Sequence, residues 1–126
     1  MLSAAEKERF QQGRKVYEGT CSTCHLSSGQ GQQGVANTLI GSQFVIGQEK
    51  DLVRVVLDGK EGETGIMPPM REKLSNEEIA AVATYIRNAW DNSESAISPG
   101  LVEEVRAATA GRGEPWTDEE LIIMQH

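Results

Sequence analysis

Cys21-Ser22-Thr23-Cys24-His25 is the stretch that decides how this chain is read. Two thiols separated by two residues and followed at once by histidine form the attachment signature of a c-type haem. Each thiol can add across one porphyrin vinyl group to give a thioether, and the adjacent imidazole is then held beneath the iron as proximal ligand. Three other readings compete. A structural zinc site wants four ligands, commonly two such pairs, but the sequence has only two cysteines, and its one other histidine is the terminal His126. A thioredoxin-like redox pair should follow a strand in a βαβ unit, whereas here a helical pattern leads into Cys21 and a polar, glycine-rich loop leaves it. The third is chance, since five residues make a short pattern.

Working outward, the pattern is helical on both sides of a long irregular middle. Ser3 and Glu6 form a capping box, and Phe10, Gly13 and Tyr17 follow at helical spacing, so a first helix is expected from Ala4 to Glu18, ended by Gly19. A glycine inside a helix costs about 1 kcal/mol against alanine, which points to close approach of another helix at Gly13. Residues 26–48 read as loop, broken by Gly29, Gly31, Gly34, Gly41 and Gly47. A short helix from Glu49 to Asp58 carries Leu52, Val53, Val56 and Leu57 on its apolar face and stops at Gly59. A second loop, 59–74, holds Met67-Pro68-Pro69-Met70. The clearest helix covers 76–90: Ser75 and Glu78 make a second capping box, and Ile79, Val82, Ala83, Ile86 and Trp90 form a stripe. No strand pattern is visible. The expected fold is all-α, with three core helices.

Beyond Trp90 the composition changes. Asp91 to Ser98 is polar, Ser98-Pro99 opens a fourth helix that ends near Gly111, and Thr117 with Glu120 caps a short terminal one. The organisation expected is a core over 1–90 and a C-terminal helical extension over 91–126 packed on the same domain. Leu121, Ile122, Ile123 and Met124 are consecutive rather than periodic and would expose apolar surface unless they pack back; packing on the chain's own core is expected.

A chain of 126 residues suggests one domain. Its hydrophobic content of 38% is modest, and a covalently held haem would supply part of the apolar interior. The net charge of −7 argues against nucleic acid, which selects basic patches. No apolar run approaches the roughly 18 residues of a membrane span, and no signal peptide is visible. Because covalent haem attachment usually takes place outside the cytoplasm, the precursor is expected to carry an export signal or to be a longer exported protein.

Haem iron has one axial position left once His25 is in place. A sixth ligand makes an electron carrier, and an open position makes an enzyme or a gas sensor. His126 lies at a chain end, where fraying is common. Lys60 and Lys73 lie in the right region but read as solvated amines. A methionine thioether stabilises ferrous iron and raises the potential. Met67 is followed by two prolines that fix backbone angles and hold a loop extended, so Met67 is expected as the ligand and Met70 as its packing neighbour.

With these residues in view, the chain resembles the class I cytochromes c. Gly13, Tyr17 and CSTCH match that family's first helix and haem site, and GIMPPM followed by LSNEEIAAVATYIR is similar to its ligand loop and last helix. Gly13 and Tyr85 fall where the family crosses these helices at close range. LIGSQFVIGQEKDLVRVVLDG, over 39–59, and the tail 91–126 are similar to cytochrome domains associated with bacterial dehydrogenases and oxidoreductases. The resemblance implies a cytochrome c-like fold and one haem c, attached through Cys21 and Cys24 and ligated by His25 and Met67. It implies one-electron transfer rather than catalysis, in the periplasm or otherwise outside the cytoplasm. It also implies a redox protein as partner, a dehydrogenase, reductase or oxidase that can itself be membrane-associated, with the chain itself a monomer. A five-coordinate haem enzyme or gas sensor is the alternative. The chain departs from the family at Asn37-Thr38-Leu39, where proline commonly precedes the leucine. The Thr38 carbonyl can still accept from the haem histidine, but the stiffening ring is gone and the acceptor's identity stays open. Arg54 is read equally as a propionate partner or a solvated helix charge, and Trp90 and Trp116 as seals between core and extension, Trp116 equally as a loop anchor.

Overall fold

The computed structural model describes residues 2–21, 25, 29–31, 39–62, 65–90 and 92–124. Six helices and one small ribbon are present among them: α1 (Ala4–Thr20), α2 (Gln43–Ile46), α3 (Glu49–Asp58), β1 (Lys60–Gly62), β2 (Gly65–Met67), α4 (Asn76–Asn88), α5 (Pro99–Ala108) and α6 (Asp118–Met124). The all-α expectation holds, and α1, α3 and α4 are the three core helices.

Several boundaries differ from expectation. Gly19 does not end α1; the helix runs through it, and the Cys21 N–H still bonds the Tyr17 carbonyl. Residues 43–46, expected as loop, form one helical turn because the Ser42 side chain accepts from the Phe44 N–H. The loop after Gly59 contains the antiparallel ribbon β1–β2, with Lys60 opposite Met67 and Gly62 opposite Gly65. Strands of three residues are too short to show alternation in sequence. Trp90 lies beyond α4, at a left-handed φ of 60°, and α5 ends at Ala108, short of Gly111.

The crossing of α1 on α4 organises the core. Gly13 is buried against Ala81, and a Cβ built on it would lie 1.8 Å from the Ala81 carbonyl oxygen. Only glycine permits this approach. Beside it, Phe10, Tyr17, Tyr85 and Trp90 form a chain of ring contacts with centroids 5.0–5.8 Å apart. Burial pushes the phenol pKa values of Tyr17 and Tyr85 up. Gly29 (φ 71°) tucks beneath Trp90, where a Cβ would lie 2.6 Å from the indole, so the segment after the haem motif is tied to this crossing.

Two buried polar side chains fasten the loops to α4. Arg87 is 2% exposed and donates to the carbonyls of Val45 (2.8 Å), Gly47 (3.1 Å) and Ser95 (3.0 Å) and to Ser95 Oγ (3.1 Å). Burying a guanidinium is costly unless its donors are satisfied, and these acceptors satisfy them. Desolvation lowers its pKa. Asn92 donates to the Leu39 and Ile86 carbonyls and accepts from the Gly41 N–H.

The chain after Trp90 is built into the same core. Ile97, Val102 and Val105 are buried, and the Ile97 N–H donates to Thr84 Oγ1 at 2.9 Å. Arg71 makes two 2.9 Å bonds to the Asp58 carboxylate and a 2.6 Å bond to Thr109 Oγ1. Arg106 donates to the Arg71 and Leu74 carbonyls and to Asn76 Oδ1. The segment leaving the methionine loop is thereby tied to α3, α4 and α5 together.

Candidate haem site

The proximal residues follow α1, with Cys21 at its C-cap. Cys21 bonds back to Tyr17, and the His25 N–H donates to the Cys21 carbonyl at 3.1 Å, a helical i, i+4 bond. This backbone bond draws His25 close to the first thiol's residue. The His25 carbonyl accepts from the Gly31 N–H, and the Gly29 carbonyl from the Leu39 N–H. Cys21 is half-buried and, like Leu39 and Ile46, packs against the main hydrophobic cluster. Cys24, Asn37, Thr38 and His126 lie outside the described residues.

The methionine loop is held from both of its ends. Gly59 (φ 81°) turns the chain out of α3, and a Cβ on it would meet the Met67 carbonyl at 2.1 Å. Past the exposed Pro68 and Pro69, the Met70 and Arg71 N–H groups donate to the Val56 and Leu57 carbonyls, both at 3.0 Å. The two methionines are separated by this geometry. Met70 is 7% exposed and belongs to the main cluster. Met67 is only partly buried and packs with Phe44, Val55, Trp116 and Leu121 in a second, smaller cluster. Met70 is therefore not simply the neighbour of Met67; it belongs to the main core, its N–H bonded to α3.

The lysine and arginine readings divide. Lys73 is exposed. Lys60 is not the solvated amine expected: its side chain is largely buried, pairs with Asp118 and lies 5.0 Å over the Phe44 ring. Arg54 is likewise largely buried, 3.3 Å from the fully buried Asp51. Trp116, 4% exposed, combines its two expected roles, sealing the second cluster and anchoring its loop through an isolated bridge to Lys60. Leu121 is fully buried beside it, while Ile122 and Ile123 are exposed, so the apolar run at 121–123 packs back only in part.

A thiol and an imidazole joined by an i, i+4 backbone bond, and a thioether on a braced strand, are a donor set whose chemistry fits a haem. The all-helical fold and this set define a haem-binding electron-transfer protein. Residues 8–86 match the model of a family described as cytochrome c oxidase, cbb3-type, subunit III. The chain is 32% identical over 117 residues to cytochrome c-552 of Thermus thermophilus, covering 82% of this chain and 88% of that one. It is 31% identical over 107 residues to the fructose dehydrogenase cytochrome subunit of Gluconobacter japonicus, covering 75% of this chain but only 22% of that protein. With cytochrome c4 of Pseudomonas aeruginosa it shares 34% identity over 87 residues. The chain belongs to this family of class I c-type cytochromes: it binds haem c covalently and transfers electrons.

Proposed function

We propose that the haem is attached through Cys21 and Cys24 and closed axially by His25 and Met67, making a six-coordinate one-electron relay. When bound, the haem supplies reversible ferric–ferrous chemistry. The chain's part is to hold the imidazole just past the end of α1, present the thioether from β2, and exclude water with the side chains of α2 and α3. The observation that carries the reading is the division of labour between the methionines: Met70 is spent in the core, whereas Met67 is partly buried on a strand fixed by Gly59 on one side and Pro68 on the other. In this reading residues 1–90 are the haem-bearing core and 91–126 an extension of the same domain.

The chain is further proposed to work outside the cytoplasm as a monomer, exchanging electrons with a larger redox protein. Its relatives include proteins named as cytochrome subunits of fructose dehydrogenase and of a quinone alcohol dehydrogenase, and as a subunit of cbb3-type oxidase. No helix among the described residues is long and apolar enough to cross a membrane.

Absorption spectra of the ferric protein test the ligand assignment. Wild type should be low-spin, with the weak far-red charge-transfer band of a thioether–ferric pair. Met67→Ala should abolish the band, admit cyanide at once and lower the potential, while Met70→Ala should keep the band. High-spin wild-type iron that takes cyanide at once would instead mark an open site and reverse the reading.

A further inference from the structure

Ribbons of two short strands are not stable by themselves, so β2 needs support beyond its pairing with β1. The support comes from the far end of the chain. Trp116 forms a bridge to Lys60; its carbonyl accepts from the Glu61 N–H at 2.8 Å, and its own N–H donates to the Gly59 carbonyl at 3.0 Å. β1 is thus bounded by Met67 on one edge and Trp116 on the other. The Trp116 side chain is buried in one cluster with Leu121 and Val55, and Met67 packs against that cluster.

A second set of contacts locks the indole in place. The Arg112 guanidinium stacks 3.6 Å from the ring centroid. It is fixed there by bonds of 2.9 and 2.8 Å to the Glu120 carboxylate and of 2.8 Å to the Pro115 carbonyl. Lys60 pairs with Asp118 at the start of α6, and Thr117 and Glu120 cap that helix reciprocally. A short helix, a stacked cation and an indole therefore converge on β1, the pairing partner of the strand that carries Met67.

We infer that Trp116 is a positioning residue for the axial thioether: by backing β2 it keeps the Met67 sulfur at the iron and sets how often that position opens. The inference rests on Met67 being the ligand. An external ligand such as cyanide can bind ferric iron only in the open form, so its apparent affinity scales with the open fraction. The backbone bonds of Trp116 are open to any residue but proline, so Trp116→Leu and Trp116→Phe isolate the contribution of the ring. Its Nε1 has no hydrogen-bond partner among the described residues, so Trp116→Phe gives up no such bond and keeps a face for Arg112.

The test uses the haem-loaded full chain and reads cyanide affinity and entry rate, the far-red band and the reduction potential, with far-UV circular dichroism as a check on the helices. Trp116→Leu should bind cyanide about tenfold more tightly and enter faster, through a larger open fraction, with a weakened band, a lower potential and intact helices. Trp116→Phe should stay near wild type. Should Trp116→Leu fail to fold, Leu121→Ala removes part of the same backing and should shift the same readings in the same direction. Wild-type cyanide binding and potential in Trp116→Leu, or in Leu121→Ala where that variant replaces it, would overturn the positioning role. Met67→Ala separates the two layers. If it opens the iron and the backing variants do not, only the positioning role fails; if it leaves wild-type ligation untouched, the axial assignment fails and takes the inference with it.

Discussion

Gly13→Ala is the sharpest probe of the frame that carries the haem residues. The new Cβ would stand 1.8 Å from the Ala81 carbonyl oxygen, 2.5 Å from its carbon and 2.8 Å from Tyr85 Cβ. Ordinary contacts begin at 3.4 Å, so α1 and α4 would have to part by roughly 1.5 Å to accept it. The obstructing atoms are mostly backbone, and no rotamer change relieves them. Overpacking of a tight core costs typically about 1–3 kcal/mol, and more where the backbone must move. Against this, alanine gains about 1 kcal/mol over glycine in a helix. The net expectation is a loss of about 2 kcal/mol or more, a fall in Tm of about 8 °C for a domain of this size. Thermal and urea unfolding of the haem-loaded protein, followed by far-UV circular dichroism, measure it. A variant as stable as wild type or more so would refute the close crossing, because overpacking would then cost no more than the helix-propensity gain of about 1 kcal/mol.

Arg87→Leu should cost about 3 kcal/mol or more, since it strands several buried carbonyls that now accept from the guanidinium; urea unfolding measures it, and a near-neutral result would mean water reaches those acceptors. The Glu120 carboxyl is held below its usual pKa, first by its hydrogen bonds with Arg112 and then by the Thr117 N–H. A lowered carboxyl pKa contributes stability that is present above the unfolded-state value of about 4.3 and is lost as pH falls through the folded value. Melting temperature should therefore drop more between neutral and strongly acid pH in wild type than in Glu120→Gln. Glu120 is partly exposed, so the difference will be small and reduced by salt; equal pH profiles for the two proteins at low salt would remove the pair from the account.

What was legible in the sequence was local. The three capping boxes, the stop at Gly59 and the meaning of Gly13 each depend on residues within a turn of one another, or on the absence of a single Cβ. CSTCH carried its cofactor for the same reason: its chemistry lies in five consecutive residues. What was not legible depended on distant partners. Lys60 looked solvated because Asp118, which neutralises it, lies at the other end of the chain. Met70 looked like a companion of Met67 because they are three residues apart, yet bonds to α3 direct them into different clusters. Arg87 gave a signal that went unused. It follows Ala83 by four residues and so falls on the apolar stripe of its helix, where a cation must find acceptors. Those acceptors, the Val45 and Gly47 carbonyls, lie in a segment with no periodic pattern.

The pairing of Trp116 with β1 also bears on the order in which the molecule is assembled. The turn that brings Cys21 and His25 together is local and forms at little cost in loop-closure entropy. The edge supplied by Trp116 joins segments far apart in the chain, and contacts of that kind are slow to form. The turn at Cys21 and His25 can therefore form independently of the contacts that brace the thioether, and that side of the molecule closes only when the Trp116 segment docks on β1.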